Sequence, residues 1–431
     1  MSKSLILIVL FLPFCISYDT LAPKQFINDG QSLISKENNF ALGFFSPSNS
    51  SHRYLGIWYV KVKKQTVVWV ANRNDPINDS SGVLSINQFG NLVLHESSNR
   101  LVWSTNVSVK GTTTTSSVAQ LQDSGNLVLV QDNNQNGLLW QSFDYPTDTF
   151  LPKMKLGVNL ITGLDRFLTS WKSQDDPGYG DCFYKMILYG SPEVFLYKGS
   201  TPYWRPGPWP WHSSSPATVS SGYKFDFVNN EDEVSYAYFL DDPSIISRLV
   251  VDNTGLLQQL MWNEGDLQWK ELWSAPKYRC DKYRQCGTYS KCSPDNINRF
   301  ECMCLPGYEP KSPRDWYLRD GSEGCVRKKL GLSMCRNGEG FVKVQRLKGP
   351  DSANAVWMDM NILENSDEGW DLNICVDASE LAKYTRMSKG FRGNKRLLAI
   401  TILCVAVPFF LVSLLVYMLL MKKRKTKGSI T

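Results

Sequence analysis

The sequence predicts a mainly β, exported protein held on one membrane-spanning helix. Three observations predict it. A short apolar unit, Gly90-Asn91-Leu92-Val93-Leu94, returns as Gly125-Asn126-Leu127-Val128-Leu129. Fourteen Trp and many Val, Leu, Thr and Tyr residues stand in short runs between polar turns, which is the composition of strands. Uncharged apolar stretches lie near both ends, and six cysteines crowd into residues 280–325.

Residues 1–17 have a basic start at Lys3, an apolar stretch from Leu5 to Phe14, and small residues Cys15 and Ser17 at a cleavage position. That is a secretory signal, too short for a membrane span. Residues 397–421 carry no charge. A helix needs about 20 apolar residues to cross a bilayer, so this run reads as the span. The tail 422–431 carries Lys422, Lys423, Arg424, Lys425 and Lys427, against Lys389, Arg392, Lys395 and Arg396 on the outer flank. That margin is thin for the positive-inside rule, so the cleaved signal decides orientation. The expectation is a single-pass type I plasma-membrane protein with an extracellular ectodomain and a short cytoplasmic tail. Net charge is +6, but much of the excess flanks the span, and no nucleic-acid partner follows from it.

Residues 18–156 read as a repeat. Trp69, Trp103 and Trp140 are spaced 34 and 37 residues apart, and the two Gly-Asn-Leu-Val-Leu units 35 apart. A unit of this size cannot bury its own apolar face, so three must pack around a shared axis. Each Trp then supplies a large apolar surface to the common core. Three glycosylation acceptors, Asn49-Ser50-Ser51, Asn78-Asp79-Ser80 and Asn106-Val107-Ser108, place solvent-facing loops in the same region.

The Asn-Leu-Val-Leu repeats with interleaved Trp resemble the bulb-type mannose-binding lectin, a three-fold β-prism. The stretches Ala41-Leu42-Gly43-Phe44-Phe45, Gly56-Ile57-Trp58-Tyr59, Val70-Ala71-Asn72-Arg73 and Trp140-Gln141-Ser142-Phe143-Asp144-Tyr145-Pro146-Thr147-Asp148-Thr149 narrow the resemblance. They are similar to plant S-locus glycoproteins and S-domain (G-type lectin) receptor-like serine/threonine kinases, from about Asp19 to beyond the span. That family's sugar pocket uses Gln-x-Asp-x-Asn-x-Val-x-Tyr. The first copy puts Asn87, Phe89, Asn91, Val93 and His95 at those positions; the second puts Gln122, Ser124, Asn126, Val128 and Val130 there. Both copies lose the Asp and the Tyr, and with them most of the directed bonds that discriminate sugars. The resemblance therefore implies a lectin fold with a degenerate sugar site, in which Asn91 and Asn126 serve turn and ladder geometry.

In residues 157–275, Arg205-Pro206-Gly207-Pro208-Trp209 resembles a signature of the S-locus glycoprotein domain. Strand-like runs occupy Val194 to Tyr197, Glu233 to Leu240, Arg248 to Val251 and Leu256 to Trp262, with Asp252-Asn253-Thr254-Gly255 as a turn. Trp204, Trp209 and Trp211 fit either a partner-binding patch or a core.

Of eleven cysteines, Cys15 leaves with the signal and Cys404 lies in the span. The exported remainder meets an oxidising compartment. Cys280, Cys286, Cys292, Cys302, Cys304 and Cys325 allow fifteen pairings from sequence alone. Cys302-Met303-Cys304-Leu305-Pro306-Gly307-Tyr308 resembles an EGF module over 276–326. That resemblance implies bridges Cys280–Cys292, Cys286–Cys302 and Cys304–Cys325. Zinc would prefer paired Cys-x-x-Cys spacing, and a calcium-binding EGF needs acids where Lys277 and Arg279 stand. No metal and no cofactor are expected. Cys335 resembles the opening of a PAN/apple domain, but the cysteine-rich stretch that should follow is missing, so 335–384 reads as a partial domain. Cys182, Cys335 and Cys375 remain, with a Cys335–Cys375 bridge and a free or interchain Cys182 as one arrangement.

Within these residues there is no Gly-rich phosphate loop, Val-Ala-Ile-Lys, His-Arg-Asp or Asp-Phe-Gly, so no kinase activity is expected. Only His52, His95 and His212 are present, none in a motif with a nucleophile or carboxylate. The reading is a kinase-less membrane-anchored receptor-like protein with a lectin-like ectodomain. The alternative is a truncated, non-functional allele or pseudogene product. The resemblance to pollen-recognition receptors implies an extracellular peptide or protein ligand, and dimers with itself or an intact S-domain receptor kinase. Carbohydrate is not the expected ligand.

Overall fold

The computed structural model describes residues 19–48, 50–108, 117–131, 137–189, 192–206, 222–293, 300–328, 340–348, 364–365, 370–384 and 407–418. The signal 1–17, Asn49, residues 207–211, His212, Cys335, Cys404 and the tail 422–431 lie outside them. Residue contacts divide the chain into two compact units, Met1–Tyr283 with Pro350–Asp359, and Arg284–Gly349 with Met360–Thr431.

The first unit opens with three four-stranded antiparallel sheets. One joins Ser32–Ile34, Phe40–Phe45, Tyr54–Tyr59 and Val67–Val70. The second joins Phe26–Asn28, Val83–Ile86, Leu92–His95 and Leu101–Ser104. The third joins Thr20–Leu21, Ser117–Leu121, Leu127–Gln131 and Leu138–Gln141. Each repeat ends its sheet on a strand that carries one Trp. Trp69, Trp103 and Trp140 meet edge-to-face, with centroids 5.6–5.9 Å apart. This geometry sets the positive edge of one ring against the negative face of the next. Leu92, Leu94, Leu127 and Leu129 close the same core.

The segment read from sequence only as a run of strands is a second set of three four-stranded sheets. Leu168–Ser173, the twelve-residue Asp176–Ile187, Glu193–Lys198 and Thr201–Trp204 form one. Asp165–Arg166, Lys155–Asn159, Glu233–Leu240 and Tyr223–Asn229 form another. Thr149–Phe150, Ser247–Val251, Leu257–Asn263 and Gln268–Ala275 form the last. Its centre is built from Phe150, Tyr236 and Tyr238, whose rings meet edge-on at 5.1–5.3 Å. Trp204 is buried in this core, which decides between the two roles left open for it.

Both sets close in the same way. Thr20 pairs with Gln120, and Thr149 pairs with Val250. In each set a two-residue strand from the beginning completes a sheet made near the end.

In the second unit, Cys286–Cys302 and Cys304–Cys325 are disulfides. Cys292 and Cys375 are also disulfide-bonded, as is Cys280 in the first unit. Ser290–Cys292 and Cys302–Cys304 belong to a five-stranded sheet with Glu364–Asn365, Gly340–Lys348 and Trp370–Val376. Leu305, Tyr308, Cys325 and Val344 form its small core. Within the part read from sequence as a partial domain, Gly340–Lys348 and Trp370–Val376 pair, Val342 with Ile374 among them. Residues 407–418, inside the expected span, form a helix with exposed side chains. Among the described residues no helix is long and apolar enough to cross a membrane.

Candidate functional site

The two copies read from sequence as degenerate sugar sites lie at hairpin turns of the second and third sheets. In the first copy the turn is built by Asn87, whose Oδ1 accepts from the Phe89 and Asn91 main-chain N–H groups at 2.9 and 3.0 Å. Asn91 faces the end of the Trp strand. Its Oδ1 accepts from Val107 N at 2.6 Å and from Thr105 Oγ1 at 2.9 Å, and its Nδ2 donates to Val107 O at 3.0 Å. In the second copy Asn126 repeats the arrangement. Its Oδ1 accepts from Ser142 Oγ and Phe143 N, both at 3.2 Å, while Nδ2 donates to Gln141 Oε1 at 2.9 Å.

A carboxamide offers two acceptor sites and two donors. Each of these asparagines has spent both acceptor sites and one donor inside the chain. The apolar floor is closed as well. Val93 and Val128 alternate with core-facing leucines and so point to the outer face, yet they are 2% and 4% exposed. Phe89, at the Asp position, is 68% exposed and has no hydrogen-bonding group. Gln122 is exposed, with Ser124 and Val130 half-buried, and His95 is half-buried. The arrangement holds the ends of strands together and presents little that could select a hydroxylated ring.

A second cluster, which the sequence reading quoted as motifs without a role, joins the two three-sheet sets. Asn72 Oδ1 accepts from Leu55 N at 2.8 Å, and Nδ2 donates to Asp75 O at 2.9 Å. This fixes the turn that carries Arg73. Arg73 is buried, donating from Nε to Pro177 O at 2.7 Å and from Nη2 to Thr169 O and Ser170 O at 3.1 and 2.8 Å. Its guanidinium also lies 4.8 Å from the Tyr179 ring centre. Asp148 is buried nearby, and burial raises its carboxyl pKa while Arg73 and Arg248 act to lower it. Burial in turn lowers the pKa of both guanidinium groups. Trp69 Nε1 donates to Tyr145 O at 2.9 Å, and Tyr59 OH to Ser247 O at 3.1 Å. Arg73 and Asp148 are buried, while Tyr145 and Tyr179 at the edge of the cluster are 50% and 63% exposed. These groups form a joint. Only the distance of about 100 residues between Arg73 and its carbonyls hid it from sequence reasoning.

Of the acceptor asparagines, Asn78 and Asn106 are exposed. Cys182 is free and buried, and burial raises its thiol pKa. Among the described residues no group of His, Cys, Asp and Glu is placed to hold a metal ion.

The family model described as D-mannose binding lectin matches residues 66–172, and that of the S-locus glycoprotein domain matches 204–312. An S-locus-specific glycoprotein of Brassica oleracea is 40% identical over 358 residues, covering 81% of this chain and 80% of that protein. Another, from Brassica oleracea var. alboglabra, is 41% identical over 338 residues, 77% of this chain and 76% of its own. A G-type lectin S-receptor-like serine/threonine-protein kinase of Arabidopsis thaliana is 46% identical over 385 residues, 88% of this chain and 46% of its own. The chain thus spans about half the length of the curated receptor-kinase relatives it matches.

Proposed function

This chain belongs to the S-locus glycoprotein family, and on that premise we propose that it is a non-catalytic extracellular recognition module anchored in the plasma membrane. Its ligand is a secreted peptide or protein rather than a sugar. One observation carries the second half of this reading: Asn91 and Asn126, the polar anchors retained from the lectin pocket, are spent on the chain's own backbone and side chains. A sugar hydroxyl would have to displace those bonds for one of similar strength, with no net gain.

The uncharged run 397–421 supports anchoring. Within it Phe409, Phe410, Leu411 and Leu415 are exposed on a helix, and surface of that kind is favoured in lipid over water. Residues 1–431 hold none of the loops that position ATP and magnesium, and an intact receptor kinase belongs to the proposal as a lateral partner. The EGF-like and PAN-like assignments of 276–326 and 335–384 belong to this proposal too.

The test uses the full chain from a plant secretory host, solubilised in detergent. On a glycan array it should give no mannose signal above background. Against a displayed library of small disulfide-bonded peptides it should enrich binders that compete with one another. A strong mannose signal, or phosphotransfer by the homogeneous product, overturns the reading.

A further inference from the structure

We infer that the sheet joining Ser32–Ile34 to Val67–Val70 docks an acidic peptide segment on its outer face, at the end that carries Lys61, Lys63 and Lys64. This rests on the reading of the ligand as a peptide or protein, and adds where that ligand is held and by what chemistry. Two separate observations meet at this end of the sheet.

The first is charge. Lys61, Lys63 and Lys64 stand in the loop between Tyr54–Tyr59 and Val67–Val70. All three are exposed, and among the described residues their ammonium groups make no hydrogen bond or ion pair. From Tyr54 to Asn74 the chain has no Asp or Glu. Lys36, likewise exposed and unpaired, lies in the neighbouring turn, which the loop meets through Val60 N and Asn39 O at 3.0 Å. The acids of that turn are Glu37 and Asp123, joined through Glu37 N and Asp123 Oδ1 at 2.7 Å, and neither pairs with a lysine. Like charges this close repel, and an arriving anion relieves the repulsion. The loop itself is pinned. Val62 is 4% exposed within the core. Thr66 Oγ1 donates to Lys64 O at 2.9 Å, and Trp269 Nε1 donates to Thr66 Oγ1 at 3.2 Å. A loop already ordered loses less freedom on binding.

The second observation is the apolar surface beside these charges. Ile34, Ala41, Trp58 and Val67 pair in one row across the four strands. Gly43 brings no side chain to the sheet, and the Trp58 ring occupies its place: a Cβ there would meet that ring at 3.0 Å. Farther along, Phe45, Tyr54 and Val70 pack with Trp171 of the second set. At the loop end, Trp58 is half-buried and Val60 is 40% exposed, so apolar surface stays in solvent. The row has no carboxamide, carboxylate or hydroxyl, so it lacks the directed partners that select a sugar. A peptide segment that sets an apolar side chain among carboxylates complements both the row and the lysines.

The experiment uses the full chain in detergent, with a fluorescent octaglutamate peptide as the probe. Its anisotropy should report binding that weakens about tenfold or more in the double variant Lys61→Glu/Lys63→Glu. Lys277→Glu is the control: it alters an exposed lysine beyond the far end of Gln268–Ala275, the strand whose beginning meets Thr66, and should change binding less than about twofold. On the unsubstituted chain, octaglutamate should displace the peptides enriched from the displayed library and octalysine should not, a comparison that needs no folded variant. Enriched peptides that bind the charge-reversed chain as tightly as the original overturn the inference and leave the peptide reading standing. A library that yields no binder removes that reading as well. Capture of polygalacturonate or of phosphatidylserine vesicles through Lys61 and Lys63, with no binding of octaglutamate, also overturns the inference.

Discussion

Asn126 concentrates several bonds in a single buried side chain. It is buried, and its amide joins the start of one strand to Gln141, Ser142 and Phe143 at the end of another. Truncating it leaves those partners inside the protein without their bonds. Leaving a buried polar group unpaired costs about 1–3 kcal/mol. Asn126→Ala should therefore lower unfolding free energy by about 3 kcal/mol in urea titrations, with no change on a glycan array. A loss near zero would mean that the amide is not structural. From sequence, Asn91 and Asn126 are assigned to turn and ladder geometry. The sequence could not reveal the bonds to residues 105–107 and 141–143, because nothing in the spacing says which strand end comes back. Cys182 makes a simpler case. A buried thiol with a raised pKa is a poor nucleophile, so alkylation at mildly alkaline pH should miss Cys182 in the native protein and reach it after denaturation. Mass mapping of the peptide containing Cys182 checks this, and rapid native labelling would contradict the burial.

At the scale of elements, the three Trp strands explain why the first set was legible and the second was not. Spacings of 34 and 37 residues between Trp69, Trp103 and Trp140 survive because each ring fills one third of a shared centre. Trp140 also stacks on Tyr145 at 5.7 Å. Trp140→Ala should cost about 3–5 kcal/mol, read as an earlier urea midpoint. In the second set the strand Asp176–Ile187 is twelve residues long, and Phe150, Tyr236 and Tyr238 stand at the centre. Neither the period nor the residue type repeats, so periodicity had nothing to detect. The joint belongs to this scale too. Arg73→Met removes three bonds to the carbonyls of Thr169, Ser170 and Pro177 and one of the positive charges that offset the burial of Asp148. Breaking a buried charged contact from one side costs about 3–5 kcal/mol. Tryptophan fluorescence should then resolve two unfolding steps where the unsubstituted chain has fewer. An unchanged single transition would refute the joint.

At the scale of the whole molecule, the region around Glu380 is where acid should act. Glu380 accepts from Lys383 Nζ at 2.8 Å and from Lys328 Nζ at 3.1 Å. The Lys383 bond first, and then Lys328, hold its carboxyl below the ordinary glutamate value. A depressed carboxyl stabilises the folded form above the unfolded value, about pH 4.3, and that contribution is lost as pH falls below it. Hydrogen-exchange protection across 378–384 should hold at neutral pH and decline below about pH 4; constant protection factors would remove Glu380 from the account. Glu380 and Lys383 lie in the helix at 378–384, within the part read from sequence as 335–384, whereas Lys328 precedes that part. The pairing of Gly340–Lys348 with Trp370–Val376 depends on a register that cysteine counting cannot supply.

Thr20–Leu21 is made almost a hundred residues ahead of Ser117–Leu121, the strand it must pair with. During synthesis the leading end has to stay unengaged until the third repeat arrives, and the process recurs when Thr149–Phe150 waits for Ser247–Val251. Each half of the first unit thus matures only when its own tail has emerged. A truncation that removes Thr20–Leu21 would leave a vacant seam beside Ser117–Leu121.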